Sequence, residues 1–414
     1  MKFAKIVGIP LAFLACFAFG FTWRDLQKGA PPSTDALRVL LGASRVSKEE
    51  VSATQTFRAA YQRISTDYYK GVDGKKLKYA GIEGLMGALG DPHTVFMEPA
   101  QAKEFQVETQ ANFVGIGARL SPDPMGARVA SVFEDGPANR AGLRVGDSIS
   151  GVDGESVVGK TVEFIVSKIR GKEGTPVRLQ IVRPGAPKPL ELSIRRSQVI
   201  TPTVEGKLLP GSIGYVAVAS FSEPTNAQFS KELGKLGPGL KGLIIDVRNN
   251  PGGLLETAVE MLSRYADDKV VVKMRMRDGR EEVAKTYYGQ RKPLGYPVIV
   301  LVNEESASAA EIFAGALRDY KLATLVGEHT YGKASVQNVY ALVDGSNAKI
   351  TIARYFLPSG QDISRRVDED GQYVSGGLQP DYKVELDLTT QVVFGDPDKD
   401  PQLKKAIEII QSKE

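Results

Sequence analysis

The chain predicts a mixed α/β (α+β) protein, in which a layered α/β core carries a β-rich insertion and follows an N-terminal helical region. Three observations predict it. From residue 213 to residue 320 short apolar runs alternate with helical stripes, the succession expected of stacked sheet and helix layers. From 113 to 196 the pattern changes to short strands and glycine turns. From 47 to 89 apolar residues recur at helical spacing. The composition, 42% hydrophobic and 25% charged over 414 residues, is that of a globular chain. These features place boundaries at 1–25, 26–46, 47–110, 111–197, 198–394 and 395–414.

In the first of these segments Lys2 and Lys5 precede an uncharged apolar stretch, 6–23, that ends at Arg24 and Asp25. A positive start before such a stretch is the pattern of a signal peptide or a short signal anchor, with the rest of the chain sent outward. Ala18-Phe19-Gly20 offers small residues for cleavage, whereas Trp23 suits an interfacial anchor, so both forms stay open. Cys16 also permits a lipoprotein reading, but Phe13 and Leu14 fit such a site poorly. It is the single cysteine of the chain, so the exported portion can form no disulfide. A polar linker at 28–34 follows.

Ser47-Lys48-Glu49-Glu50 has the spacing of a capping box, and Val51, Phe57, Ala60, Tyr61 and Ile64 continue it as a helical stripe. A second helix is predicted over 75–89, broken by Asp91-Pro92-His93-Thr94. The insertion holds Gly115-Ile116-Gly117, the stretch GPANRAGLRVGD at 136–147 and a helical segment at 161–171. In the core, strands are predicted at 213–221, 242–247, 270–276, 298–302, 336–343, 348–357 and 382–386, with helices at 225–236, 254–265 and 307–320. Residues 395–401 read as linker, and 403–411 as a final amphipathic helix.

The chemistry-bearing residues cluster where core strands end and helices begin, the usual place of a ligand site in such layers. Ser308 follows the apolar run 298–302 and precedes a stripe of Ile312, Phe313, Leu317 and Tyr320, which puts it on a strand-to-helix turn. There the first helical N–H groups lack internal partners and favour negative charge, so the Ala309 N–H suits an oxyanion. The chain has only two histidines, His93 and His329, so the usual partner of a nucleophilic serine is nearly absent. Lys333, 25 residues beyond Ser308, can take the serine proton if burial makes its amine neutral. Strand 242–247 runs into Arg248-Asn249-Asn250-Pro251-Gly252-Gly253, and backbone N–H groups at Gly252 and Gly253 can turn toward a ligand. Asp246 and Arg248 beside that turn are placed for a supporting ion pair.

Read together, DVRNNPGG, LVNEESASAAEIFAGALRDY, VGEHTYGKASVQ and ARYFLPSGQDI resemble the carboxyl-terminal processing peptidases, or tail-specific proteases, over about residues 50 to 386. The resemblance implies a serine-protease core of crotonase-like type with an inserted PDZ domain. It implies Ser308 as nucleophile, Lys333 as general base and Gln337 as the residue that orients the lysine. Ser306 is the rival nucleophile, and the family match places attack two residues later. Two positions depart from the family pattern: Ala310 stands where a third serine is common, and Ala334 where glycine is usual. In the insertion, the GPA-x-x-AGL-x-x-GD stretch resembles a bacterial PDZ domain, and Gly115, Ile116 and Gly117 match the loop that presents N–H groups to a free C-terminal carboxylate. Phe164, Ile165 and Ile169 then line the facing helix or belong to the core, and Arg170 either pairs with an acid or is a solvated helix end.

These implications describe an exported peptidase, periplasmic or extracellular, tethered to the cytoplasmic membrane if the leader stays uncleaved. Its partners would be proteins with accessible apolar tails, with an adaptor or a second copy joined through the terminal helices as further candidates. A net charge of +4 is too dilute for nucleic acid, and two histidines with no exported cysteine argue against a transition-metal site; no cofactor is expected. The rival readings are an inert or latent PDZ adaptor, which would need a defect in the catalytic set, and an acyl-thioester enzyme, which would need a coenzyme surface.

Overall fold

The computed structural model describes residues 48–292, 295–387 and 392–412. The apolar stretch 6–23, the linker and the capping residue Ser47 lie outside them. Among the described residues no helix is long and apolar enough to cross a membrane. The chain divides after Gly81 into two units. In the first, helix Lys48–Asp67 is joined to the start of helix Gly74–Gly87 where the Tyr61 hydroxyl donates to Gly74 O at 3.1 Å. Phe57 and Ile64 of the expected stripe are about half exposed.

The second unit is built on a six-stranded sheet in the order Val204–Leu209, Ile213–Val218, Gly242–Asp246, Val298–Val302, Thr324–Gly327, Tyr382–Lys383. The first pair is antiparallel and the rest are parallel. Strands buried on both faces read as unbroken apolar runs, and GLIID and VIVLV are such runs. Alternate side chains serve different cores. Leu243, Ile245, Val298, Val300 and Val302 meet Phe313, Leu317, Met261 and Leu262 of helices Ala309–Asp319 and Leu255–Leu262. Ile244, Ile299 and Leu301 point the other way, against Leu403, Ala406, Ile409 and Ile410 of the closing helix Pro401–Gln411. That helix packs so closely that a side chain at Gly242 would meet Ile410 at 2.5 Å.

A second, antiparallel sheet covers the helices with Tyr355 and Leu357 in the shared core. Strand Asn347–Phe356 pairs along most of its length with Ser335–Ala341 on one edge, and on the other with Val95–Met97 at its start and Val270–Met276 at its end. Strands Val95–Met97, Val204–Leu209, Glu281–Lys285 and Thr324–Gly327 and helix Pro99–Gln110 are additions to the elements read from sequence. They are short or carry mixed charge, so periodicity gives them little signal.

The insertion is a separate antiparallel sheet, Ala118–Asp123, Gly126–Val132, Ser148–Val152, Pro176–Val182, Leu190–Arg195, with helix Val162–Ile169 on it. Thr161 caps that helix through Phe164 N–H. Its own core gathers Ile116, Val129, Ile149, Ile165, Leu179 and Ile194. Strand Asn112–Gly115 pairs antiparallel with Ser197–Ile200, so entry and exit of the insertion are stitched together as a neck. The buried Arg196 guanidinium braces it, donating to Ile169 O at 2.6 Å and Pro176 O at 2.8 Å.

Candidate active site

Two core strands, Gly242–Asp246 and Val298–Val302, end side by side, and the turns that leave them are locked to each other. Asn303 Nδ2 donates to Asn249 Oδ1 at 2.7 Å, and Asn249 N–H to Asn303 Oδ1 at 2.9 Å. Ser306 is fully buried; its hydroxyl donates to Val247 O at 2.8 Å and accepts Asn303 N–H at 3.0 Å. Ser306 thus acts as a brace between the two turns. Ala307 N–H then donates to Asn250 O, and the chain turns sharply at Ser308 into helix Ala309–Asp319. Ser308 holds φ 55° and ψ −118°, a conformation that costs a side-chain-bearing residue about 1–3 kcal/mol. It is partly exposed while Ala307, Ala309 and Ala310 are buried, so the elbow presents one side chain.

The glycine turn lies directly against this elbow. A side chain at Gly252, where φ is 99°, would fall 2.7 Å from Ser308 Cβ and 2.9 Å from Ala309 N. Asn250 holds the turn open, with Nδ2 on Val218 O at 2.7 Å and Oδ1 accepting Gly252 N–H at 2.8 Å. The Gly252 N–H is therefore committed to Asn250. The N–H groups of Gly253 and Ala309 have no acceptor among the described residues; Ala309 opens the helix at the elbow, and Gly253 follows the glycine that lies against it.

Lys333 arrives on the turn after Thr324–Gly327 and meets the serine helix through Glu311, which is completely buried. Glu311 Oε2 accepts Ser308 N–H at 2.8 Å and Lys333 N–H at 2.9 Å. Its Oε1 accepts Gly332 N–H at 2.7 Å and the Thr330 hydroxyl. Burial raises the Glu311 carboxyl to about 7 against these four donors. On the far side the Tyr355 hydroxyl donates to Lys333 O. Burial holds the Lys333 amine below its usual value; the charge of Lys349 adds to this, and Glu311 and Asp91 oppose it. Gln337 Nε2 donates to the hydroxyls of Ser335 at 2.8 Å and Thr351 at 3.1 Å. No hydrogen bond joins the side chains of Ser308, Lys333 and Gln337 among the described residues.

Below the glycine turn, Arg248 is fully buried between two carboxylates, Asp246 and Asp400, each at 2.6 Å. The segment read as linker thus supplies Asp400, which also caps helix Pro401–Gln411 through Leu403 N–H. Glu311, Asn250, Tyr355 and Asp400 did not emerge from sequence reasoning. For Glu311 a signal existed: Ser308-x-x-Glu311 has capping-box spacing. In the insertion, Gly115 pairs with Ser197 in the neck, Ile116 is buried in the domain core, and Gly117 takes φ 78° beside Gly136. Among the described residues no three His, Cys, Asp or Glu side chains gather as a metal site.

Residues 212–384 match the model of peptidase family S41, 104–182 match the PDZ domain, and 20–101 match the N-terminal domain of the activating protease CtpB. The carboxy-terminal processing protease CtpB of Bacillus subtilis strain 168 is 36% identical over 84% of this chain and 75% of its own length. The chain belongs to the carboxy-terminal processing proteases of family S41. Carboxy-terminal processing protease CtpA of the same organism is 35% identical over 82% of this chain and 71% of its own. A solved structure from Bacteroides fragilis NCTC 9343, assigned to the S41 proteases, shares the fold at 18% identity and a TM-score of 0.50, covering 84% of this chain and 92% of that one. This S41 protease is therefore a peptidase with a PDZ domain, and its substrates are proteins.

Proposed function

We propose that this protease cleaves exported proteins near their C-termini by a Ser-Lys acyl-enzyme mechanism. The observation that carries the reading is the buried Glu311 carboxylate, which holds the serine elbow and the lysine turn in one register. Neutral Lys333 accepts the Ser308 proton as Oγ attacks the scissile carbonyl, and the tetrahedral oxyanion rests on the N–H groups of Ala309 and Gly253. The resulting ammonium of Lys333 gives its proton to the leaving amine as the peptide C–N bond breaks. Water, deprotonated by the same lysine, then hydrolyses the Ser308 ester and restores the hydroxyl. Gln337, fixed by Ser335 and Thr351, steers the lysine through its amide oxygen. Of the two glycines, Gly252 supports the turn through Asn250 and leaves the oxyanion to Gly253.

The PDZ domain captures the substrate tail as an added strand, with its carboxylate at the loop Gly115–Gly117 and an apolar last residue favoured. The leader at 6–23 places the enzyme outside the cytoplasmic membrane. The test is cleavage of an unstructured reporter with an apolar C-terminal tail by the exported portion and by Ser308→Ala and Lys333→Ala. The parent cuts, and each variant loses at least about 10⁴-fold in kcat. Binding without cleavage by all three would instead mark an adaptor or a latent enzyme.

A further inference from the structure

Beyond the three residues of the proposed mechanism lies a second lysine that makes no ion pair among the described residues. Lys349 lies in the interior of strand Asn347–Phe356, flanked by Val95 on one side and Val339 on the other. It is two residues from Thr351, so the two side chains share a face of the sheet. Thr351 Oγ1 is the group that fixes Gln337, and Thr351 N–H donates to Thr94, which is tied in turn to Asp91. Lys349 therefore shares a sheet face with Thr351 and Gln337, and its charge acts on Lys333 as that of Asp91 does. It is only partly exposed, and its ammonium has neither ion pair nor hydrogen bond among the described residues. Its neighbour is a ring: Nζ lies 5.4 Å from the centroid of Phe105 on helix Pro99–Gln110.

We infer that Lys349 is a positioning residue of the protease, a fixed cation that keeps Lys333 in its neutral, proton-accepting form. A cation beside a buried lysine disfavours a second positive charge there. The charged groups facing Lys333 are Lys349 on its strand, Glu311 on the serine helix and Asp91 with His93 in the turn before strand Val95–Met97. Of these only Lys349 works against protonation of Lys333 alongside burial, while the two acids favour it. Lys349 itself is faced by Glu108, one turn beyond Phe105, and is also held below the usual lysine value by burial. Phe105 offers the Lys349 cation a ring face in place of an ion pair, and Glu108 offsets its charge only from a distance beyond ion-pair contact.

The inference rests on Lys333 acting as the base, and the experiment separates the two. The pH dependence of kcat/KM for the tail reporter is measured for the parent, Lys349→Met, Lys349→Gln and Lys349→Arg. Loss of the cation moves the rising limb about one pH unit upward, which lowers kcat/KM about tenfold near neutrality and leaves the alkaline plateau in place. Lys349→Arg keeps the parent profile. In a Ser308→Ala background with ¹³C-methylated lysines, the Lys333 resonance titrates at higher pH once Lys349 is Met or Gln. An unmoved Lys333 titration overturns this inference while leaving the base assignment intact, and so does a raised KM with an unchanged profile, which marks Lys349 as a substrate contact. Full cleavage by Lys333→Ala overturns the base assignment itself.

Discussion

The backbone N–H groups of Ser308 and Lys333 share a single acceptor, Oε2 of Glu311, at 2.8 and 2.9 Å. A nucleophile and its base on different turns must keep a fixed separation, and here one buried oxygen sets it. Glu311→Gln preserves size but turns an amide NH₂ toward two of the four donors, either the N–H groups of Ser308 and Lys333 or the Gly332 N–H and Thr330 hydroxyl. Each donor then loses its acceptor, at a cost of about 1–3 kcal/mol per buried group. Misplacement of the pair lowers kcat about 100-fold, with KM for the reporter little changed. Steady-state kinetics at a temperature where circular dichroism shows the variant folded would decide it; parent-like kcat removes Glu311 from the machinery.

The pH dependence follows from two groups displaced in opposite directions. Burial and Lys349 lower Lys333, and burial lifts Glu311 to about 7. Lysine serves as base only when neutral, and Glu311 accepts all four donors only as the carboxylate. Both competent forms are deprotonated, so each contributes activity that appears as pH rises through its folded pKa. kcat/KM for the reporter therefore climbs from about pH 6 to about pH 9. A flat profile over that interval would sink the lysine-base reading.

Gly252 tests the contact between the two turns. Its φ of 99° and the 2.7 Å approach of a hypothetical side chain to Ser308 Cβ leave no room for alanine. Gly252→Ala pushes the glycine turn off the elbow and takes the Gly253 N–H away from the Ala309 N–H. The expected loss is about 100-fold in kcat. Ala310→Ser, on the buried side of the serine helix, alters no donor at the elbow and should cost far less. Equal losses from the two would argue against an oxyanion site at this turn.

How much of this could be read from the sequence depended on the range of the interaction. GLIID and VIVLV announced central strands because both faces are buried, and the stripe Ile312, Phe313, Leu317 announced the helix that follows Ser308. EEVAK announced nothing, since an exposed hairpin strand has no apolar face to bury. Gly252 and Gly253 look alike in the sequence; only the Asn250 side-chain oxygen Oδ1, placed by the bond of Nδ2 to Val218 O, distinguishes the N–H that is used from the one that is free. Asp246 beside Arg248 was legible at a spacing of two. Asp400 was not, because nothing local connects a Gly- and Asp-rich segment to an arginine so distant in the chain.

That distant pair gives a prediction about stability. Arg248 has no exposed side-chain surface, donates to both Asp246 and Asp400 and has its guanidinium 4.2 Å from the Phe394 ring centroid. Gln402 Oε1 takes a further guanidinium N–H at 2.8 Å. Arg248→Met fits the volume but leaves two carboxylates buried without a cation, a loss of about 3–5 kcal/mol. Arg248→Lys does not restore it, because one ammonium cannot serve both forks at once. Asp400→Asn keeps the helix cap through its amide oxygen and should cost less than Arg248→Met, since Asp246 still holds the guanidinium. Urea unfolding of the three variants measures the order directly. If Arg248→Met proves as stable as the parent, the closing helix is held on the sheet by Leu403, Ile409 and Ile410 alone, and the buried ion network adds no net stability.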